Sequence, residues 1–193
     1  MYDARLEPLR DRHLKMLEIG LGCDMSYGPG ASYYTWLEYF PHVDLYYIEY
    51  NEACATAWAN KTTEATIFAG DQADVAFLRR FVAESGGDFD IIIDDGGHTM
   101  NQQKTSLEHL WDSLTPGGIY FVEDLTTSYV ESYGGGLGKT DTFMEDVKNM
   151  LDDMNKHVGV PDKLRISKDV IKLDFVQELV ALTKRDPSKI GGI

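Results

Sequence analysis

At 193 residues with 43% hydrophobic side chains, the chain is long enough for one well-buried domain and too short for two ordinary ones, so residues 1–193 read as a single domain. Its 18 Lys and Arg against 32 Asp and Glu give a net charge of -14, which argues against nucleic-acid backbones and anionic membranes, since both need a basic surface. A small-molecule partner fits better. Cys23 and Cys54 stand in no metal-binding or redox spacing and are expected as reduced thiols. Charge begins at Asp3 and no apolar run approaches the roughly 20 residues of a spanning helix, so a soluble, cytoplasmic protein is expected.

Strand-like and helix-like runs alternate almost to the end, the pattern of a parallel sheet wrapped by helices. Residues 15–20 read as the first strand and break at Gly20-Leu21-Gly22. A loop over 23–30 with a Gly-Pro-Gly follows, then a helix over 32–40 rich in aromatics. Tyr33, Tyr34, Trp36, Tyr39 and Phe40 are expected to pack the core rather than line a pocket. The second strand, 44–50, ends in Glu49, and Asn51 is the expected N-cap of a helix over 52–60. A short third strand, 66–70, runs into Asp71-Gln72, and a helix over 74–85 stops at Gly86-Gly87.

Ile91-Ile92-Ile93, with Phe89 before them, read as a strand buried on both faces, and it delivers Asp94-Asp95-Gly96-Gly97-His98 at its carboxyl end. A helix over 100–114 follows. Residues 115–118 (Thr-Pro-Gly-Gly) then predict a sharp turn into a fifth strand, 119–122, which ends in Glu123-Asp124. Glycine-rich residues 129–138 are expected as a mobile surface loop, a lid or a plain connector. Thr142-x-x-Glu145 suggests a capping box for a helix to about His157, with Phe143, Val147, Met150, Leu151 and Met154 as its apolar stripe. Residues 170–175 and 179–183 have hairpin spacing and predict an antiparallel pair.

The chemistry gathers at strand ends. A glycine turn after the first strand and an acid closing the second follow the general logic of nucleoside binding, with Glu49 accepting from ribose hydroxyls. The third glycine of the dinucleotide fingerprint would fall at Met25, which disfavours a nicotinamide oxidoreductase. Asp95, Glu123 and Asp124 gather hard oxygens suited to Mg2+ and, less specifically, Mn2+ or Ca2+, and His98 is a side chain that takes a proton near neutral pH.

The glycine turn, Glu49, Asp71 and the terminal hairpin resemble the class I methyltransferases that use S-adenosylmethionine. That resemblance implies an α/β fold: a seven-stranded, Rossmann-like, mostly parallel sheet with a C-terminal antiparallel hairpin and helices on both faces. It also implies that Gly20 and Gly22 approach the methionine portion, Glu49 holds the ribose, and Asp71 and Gln72 border the adenine, with Glu18 and Asp94 in the same cofactor site. The runs 94–98 (DDGGH) and 116–129 (PGGIYFVEDLTTSY) further resemble the metal-dependent O-methyltransferases of macrolide deoxysugars, of the mycinamicin and macrocin type. By that likeness Asp95, Glu123 and Asp124 bind Mg2+ and His98 is the base. Catechol-type relatives would show a lysine where this chain has Gly97-His98-Thr99. The first strand is expected to begin near Lys15, without the long N-terminal region that often covers the acceptor site in that family; whether the acceptor side is then open or covered, as in a possible homodimer, stays open at this point. A protein of the same fold that binds the nucleoside without methyl transfer is the alternative.

Overall fold

The computed structural model describes residues 1–23, 25–26 and 28–189. Strands β1 (Leu14–Ile19), β2 (Val43–Glu49), β3 (Ala65–Ala69), β4 (Phe89–Asp94), β5 (Leu114–Val122), β6 (Val170–Val176) and β7 (Leu179–Lys184) form one sheet in the order β3-β2-β1-β4-β5-β7-β6. The pairs among β1 to β5 are parallel, while β7 runs antiparallel to both β5 and β6. Strand order reverses between β1 and β4, which makes their carboxyl ends a topological switch point.

The isoleucine run of β4 shows why the sheet is covered on both sides. Ile92 packs with Phe77, Leu78 and Phe81 of α4 (Val75–Ser85) and Leu107 and Leu110 of α5 (Met100–Leu110). Its neighbours Ile91 and Ile93 face the opposite cluster, with Leu6 of α1 (Tyr2–Leu6) and Tyr33 and Trp36 of α2 (Ala31–Tyr39). All three isoleucines are fully buried, each contributing roughly 1.5–3 kcal/mol by removal from water. Phe143, Val147 and Met150 of α6 (Phe143–Asn155) extend the first cluster toward β7. The aromatic segment is mostly core, as expected: Tyr33, Trp36 and Phe40 are buried, whereas Tyr34 faces solvent. Among the described residues no helix is long and apolar enough to cross a membrane.

Several local expectations are corrected. Residues 115–118 do not turn the chain; they are already part of β5, and a register shift against β4 between Phe89 and Ile91 absorbs the irregularity. The capping box at Thr142 is half-formed, because Thr142 accepts from the Glu145 amide while the Glu145 carboxylate goes to Lys148. Leu151 and Met154 are exposed, so the buried stripe of α6 ends at Met150 and Asp153. Residues 129–138 lie at the surface, as expected, and short 3-10 turns at Leu125–Tyr129 and Glu131–Tyr133 are tied back by Gly135 N–H to Val130 O and Gly136 N–H to Ser128 O.

Cys23 and Cys54 are joined in a disulfide, contrary to the expectation of free thiols. The topology explains it: the loop after β1 and the first turn of α3 (Glu52–Trp58), which follows β2, meet at one sheet edge. Their Cα atoms come within 6.2 Å although 31 residues separate them in sequence. Of the loop predicted over 23–30, Asp24 and Tyr27 lie outside the described residues.

Candidate active site

The carboxyl ends of β1, β2 and β4 border a cavity of about 290 Å³, lined among others by Gly20, Gly22, Glu49, Gln72, Asp95 and His98. Gly20 has φ +101°, and a Cβ there would collide with the carbonyl oxygen of Asp95. Only glycine allows the β1 turn to pass so close to the end of β4. Glu49 is 6% exposed, and its carboxylate is grasped at both ends: one oxygen accepts from Leu21 N–H at 2.9 Å and the other from Asn51 N–H at 2.7 Å. The acid after the second strand therefore fixes the glycine turn and the start of α3 together. Asn51 caps α3 as expected, accepting from Cys54 N–H.

Gln72 and Asp94 form a buried support. Gln72 donates to Asp94 Oδ1 at 2.8 Å and accepts from Gly97 N–H at 2.9 Å, while Ser106 of α5 donates to the other oxygen of Asp94. Burial holds the Asp94 carboxyl above the usual range, against these hydrogen bonds. Asp94 and Asp95 are adjacent, so the pleat sends Asp94 toward α5 and Asp95 into the cavity. Glu18 lies behind the glycine turn, 2% exposed, accepting from Ser32 at 2.8 Å; burial, only partly offset by the Tyr47 and Ser32 hydroxyls, pushes its carboxyl up to about 7. Asp71 does not line the cavity; its carboxylate accepts from Ala73 N–H at 2.8 Å.

Beyond β4 and β5 the strands stay in register, with Asp95 N–H bonded to Ile19 O and Glu123 N–H to Asp94 O. This alignment brings Asp95, His98 and Asp124 together, with one ligand atom from each within 4.8 Å of the others. His98 Nε2 lies 3.1 Å from Asp124 Oδ2 and 3.8 Å from Asp95 Oδ1, and its buried Nδ1 has no protein partner among the described residues. Glu123 is not in that trio. Its Oε1 accepts from the Tyr2 hydroxyl at 2.5 Å. Burial, then the neighbouring Glu123, Glu18, Asp124 and Asp94 carboxylates, raise the Asp95 carboxyl to about 8.

Two features escaped sequence reading. His98 and Asp124 both hold positive φ, 56° and 54°, a conformation uncommon outside glycine and concentrated where function over-determines the backbone. Thr99 and Gln102 form a complete capping box that starts α5 directly after His98, fixing where that histidine points. The second was visible in the sequence as Thr99-x-x-Gln102; the first follows only from three-dimensional closure of the site.

No family model matches the chain. The whole chain aligns with L-olivosyl-oleandolide 3-O-methyltransferase of Streptomyces antibioticus at 33% identity, covering 50% of that protein. It aligns equally fully with mycinamicin VI 2''-O-methyltransferase of Micromonospora griseorubida at 29%, covering 49%. Among solved structures, the MycE methyltransferase of mycinamycin biosynthesis, in complex with Mg and SAH, superposes with a TM-score of 0.82 at 26% identity over the whole chain and 50% of its own length. The chain thus spans about half the length of the curated relatives it matches.

Proposed function

Because the chain has the S-adenosylmethionine-dependent methyltransferase fold and is related along its whole length to macrolide-sugar O-methyltransferases, we propose that it transfers a methyl group from S-adenosylmethionine to a sugar hydroxyl of a glycosylated small molecule, assisted by Mg2+. The observation that carries this reading is one shared cavity: Asp95 and His98 line the same space as Gly20, Gly22 and Glu49. When bound, the sulfonium donor supplies an electrophilic methyl group, and a divalent cation lowers the pKa of a hydroxyl it binds.

The chain's own residues do the rest. Gly20 and Gly22 bring backbone up to the donor, and Glu49, already anchored on two amides, has lone pairs left for ribose hydroxyls. Gln72 borders the base, Asp71 beside it holds the turn into α4 through the Ala73 amide, and Glu18 and Asp94 stiffen the cradle through Ser32 and Gln72. Asp95, Glu123 and Asp124 hold the cation, an oxygen set that Mn2+ or Ca2+ would also accept. The fit is supported by the raised Asp95 carboxyl: burial first and its acidic neighbours second disfavour its ionised form, and a cation among those acids would offset the part that comes from them. His98, oriented by Asp124 3.1 Å and Asp95 3.8 Å from its Nε2, takes the acceptor proton.

The test is direct. Protein incubated with S-adenosylmethionine, Mg2+ and a panel of deoxyhexose-bearing polyketides should yield a methylated product by mass spectrometry, lost on chelation and restored by Mg2+. Turnover indifferent to chelator removes the cation from the reading. Donor binding without transfer to any glycosylated acceptor removes the activity and leaves a nucleoside-binding protein.

A further inference from the structure

Tyr2 reaches the acid cluster from 121 residues away in sequence. Its ring is wedged against Phe121 at 4.7 Å and Trp36 at 5.6 Å between centroids, and its hydroxyl ends on Glu123 Oε1 at 2.5 Å. The helix that carries it is itself held: Arg5 pairs with Asp174 of β6 at 3.2 Å and donates to Thr183 of β7 at 2.7 Å, and Leu6 is fully buried. The terminal hairpin therefore fixes α1, and α1 fixes the phenol.

The chemistry of that donor is informative. Glu123 has a long, rotamer-rich side chain at the end of β5, and ordering it costs conformational entropy unless something holds it. A lysine or arginine here would hold it too, but would also cancel the negative charge that a divalent cation needs. A phenol hydroxyl donates one hydrogen bond and leaves the charge in place. It also engages only one oxygen, so among the described residues Oε2 of Glu123 has no hydrogen-bond or ion-pair partner.

We propose that Tyr2 is a positioning residue for the divalent-cation site, orienting the Glu123 carboxylate through its hydroxyl from outside the ligand set; this rests on the cation reading given above. Partners of this kind change metal affinity by about 10- to 100-fold when removed. The experiment is calorimetric titration of Mn2+ into the protein saturated with S-adenosylhomocysteine, comparing wild type, Tyr2→Phe, Glu123→Gln and the double variant. Tyr2→Phe keeps the ring and its packing, so it should weaken Mn2+ by about 10-fold or more while S-adenosylhomocysteine affinity stays unchanged. In the Glu123→Gln background the same change should cost nothing further, because the two act as one unit. Wild-type Mn2+ affinity in Tyr2→Phe, or an equal loss with and without Glu123, overturns the assignment. Absence of Mn2+ binding by the wild type overturns the cation reading itself, and with it this inference; the two failures are told apart by which protein shows them.

Discussion

The two halves of the sheet's carboxyl edge treat their acids in opposite ways. On the β1–β3 side the acids are held by the chain's own donors: Glu49 by two backbone amides, Asp71 by a third, Glu18 by Ser32. On the β4–β5 side, Asp95 and Asp124 converge on His98 with Glu123 near enough to act on Asp95, and among the described residues no lysine or arginine pairs with these acids; only His98 and Tyr2 approach. The first half is complete before any ligand arrives, which suits preorganised binding of a nucleoside. The second is electrostatically unfinished, which suits a cation and a proton transfer. On the reading proposed above, chemistry belongs to one side of a cavity whose other side holds the donor.

The largest effect should come from the unfinished half. His98→Asn is preferable to alanine, since asparagine tolerates the left-handed backbone at φ 56° yet takes no proton near neutral pH. Methyl transfer should fall by about 10²–10⁴-fold, with S-adenosylhomocysteine affinity within about twofold of wild type. Kinetics and calorimetry on the same preparation check both. Wild-type turnover in this variant would erase the distinction between a holding half and a reacting half.

Next in size is the residue that joins them. Gln72→Leu strips a donor from buried Asp94 and an acceptor from Gly97 N–H. Leaving such groups unpaired costs about 1–3 kcal/mol each. Thermal unfolding should drop by several degrees, and donor affinity and turnover should fall together, as no single-half variant would make them do.

How much of this was readable in sequence depends on distance along the chain. Ile91 to Ile93 announced a strand buried on two faces, and Asn51 announced its helix, because both signals are local. The acids at strand ends were legible as a group because parallel strands share one carboxyl edge. What each acid does was not. Asp94 and Asp95 look alike in sequence, yet pleat alternation buries one under α5 and opens the other to the cavity. The Cys23–Cys54 bridge and the Tyr2–Glu123 bond join residues 31 and 121 positions apart, which no spacing rule links. Pro116-Gly117 imitated a turn because the register shift that admits them to β5 belongs to the pair with β4, not to either strand alone.

A smaller effect probes the holding half through pH. The Glu18 carboxyl rises from 4.5 to about 7 on folding because it is buried. The folded state then binds its proton more tightly, so this group's contribution favours folding fully below about pH 4.5 and is lost as pH climbs to about 7. Glu18→Gln should remove that slope and raise stability at pH 8 by about 1–3 kcal/mol, read as a higher midpoint in denaturant. A slope that survives the substitution assigns it to another acid, with Asp95 the first to test.

The smallest expected effect is the one that most sharpens the division. Asp71 closes the third strand where an adenine-bordering acid is expected, yet its carboxylate is spent on the Ala73 amide and does not line the cavity. If its work is the turn into α4, Asp71→Ala should cost about 0.5–1.5 kcal/mol in unfolding free energy, the worth of one such hydrogen bond, and leave S-adenosylhomocysteine affinity within about twofold. A tenfold loss in affinity with unchanged stability would mean that the carboxylate leaves Ala73 for the ligand. The β1–β3 side would then be completed by binding rather than before it, and the contrast between the two halves would be one of degree.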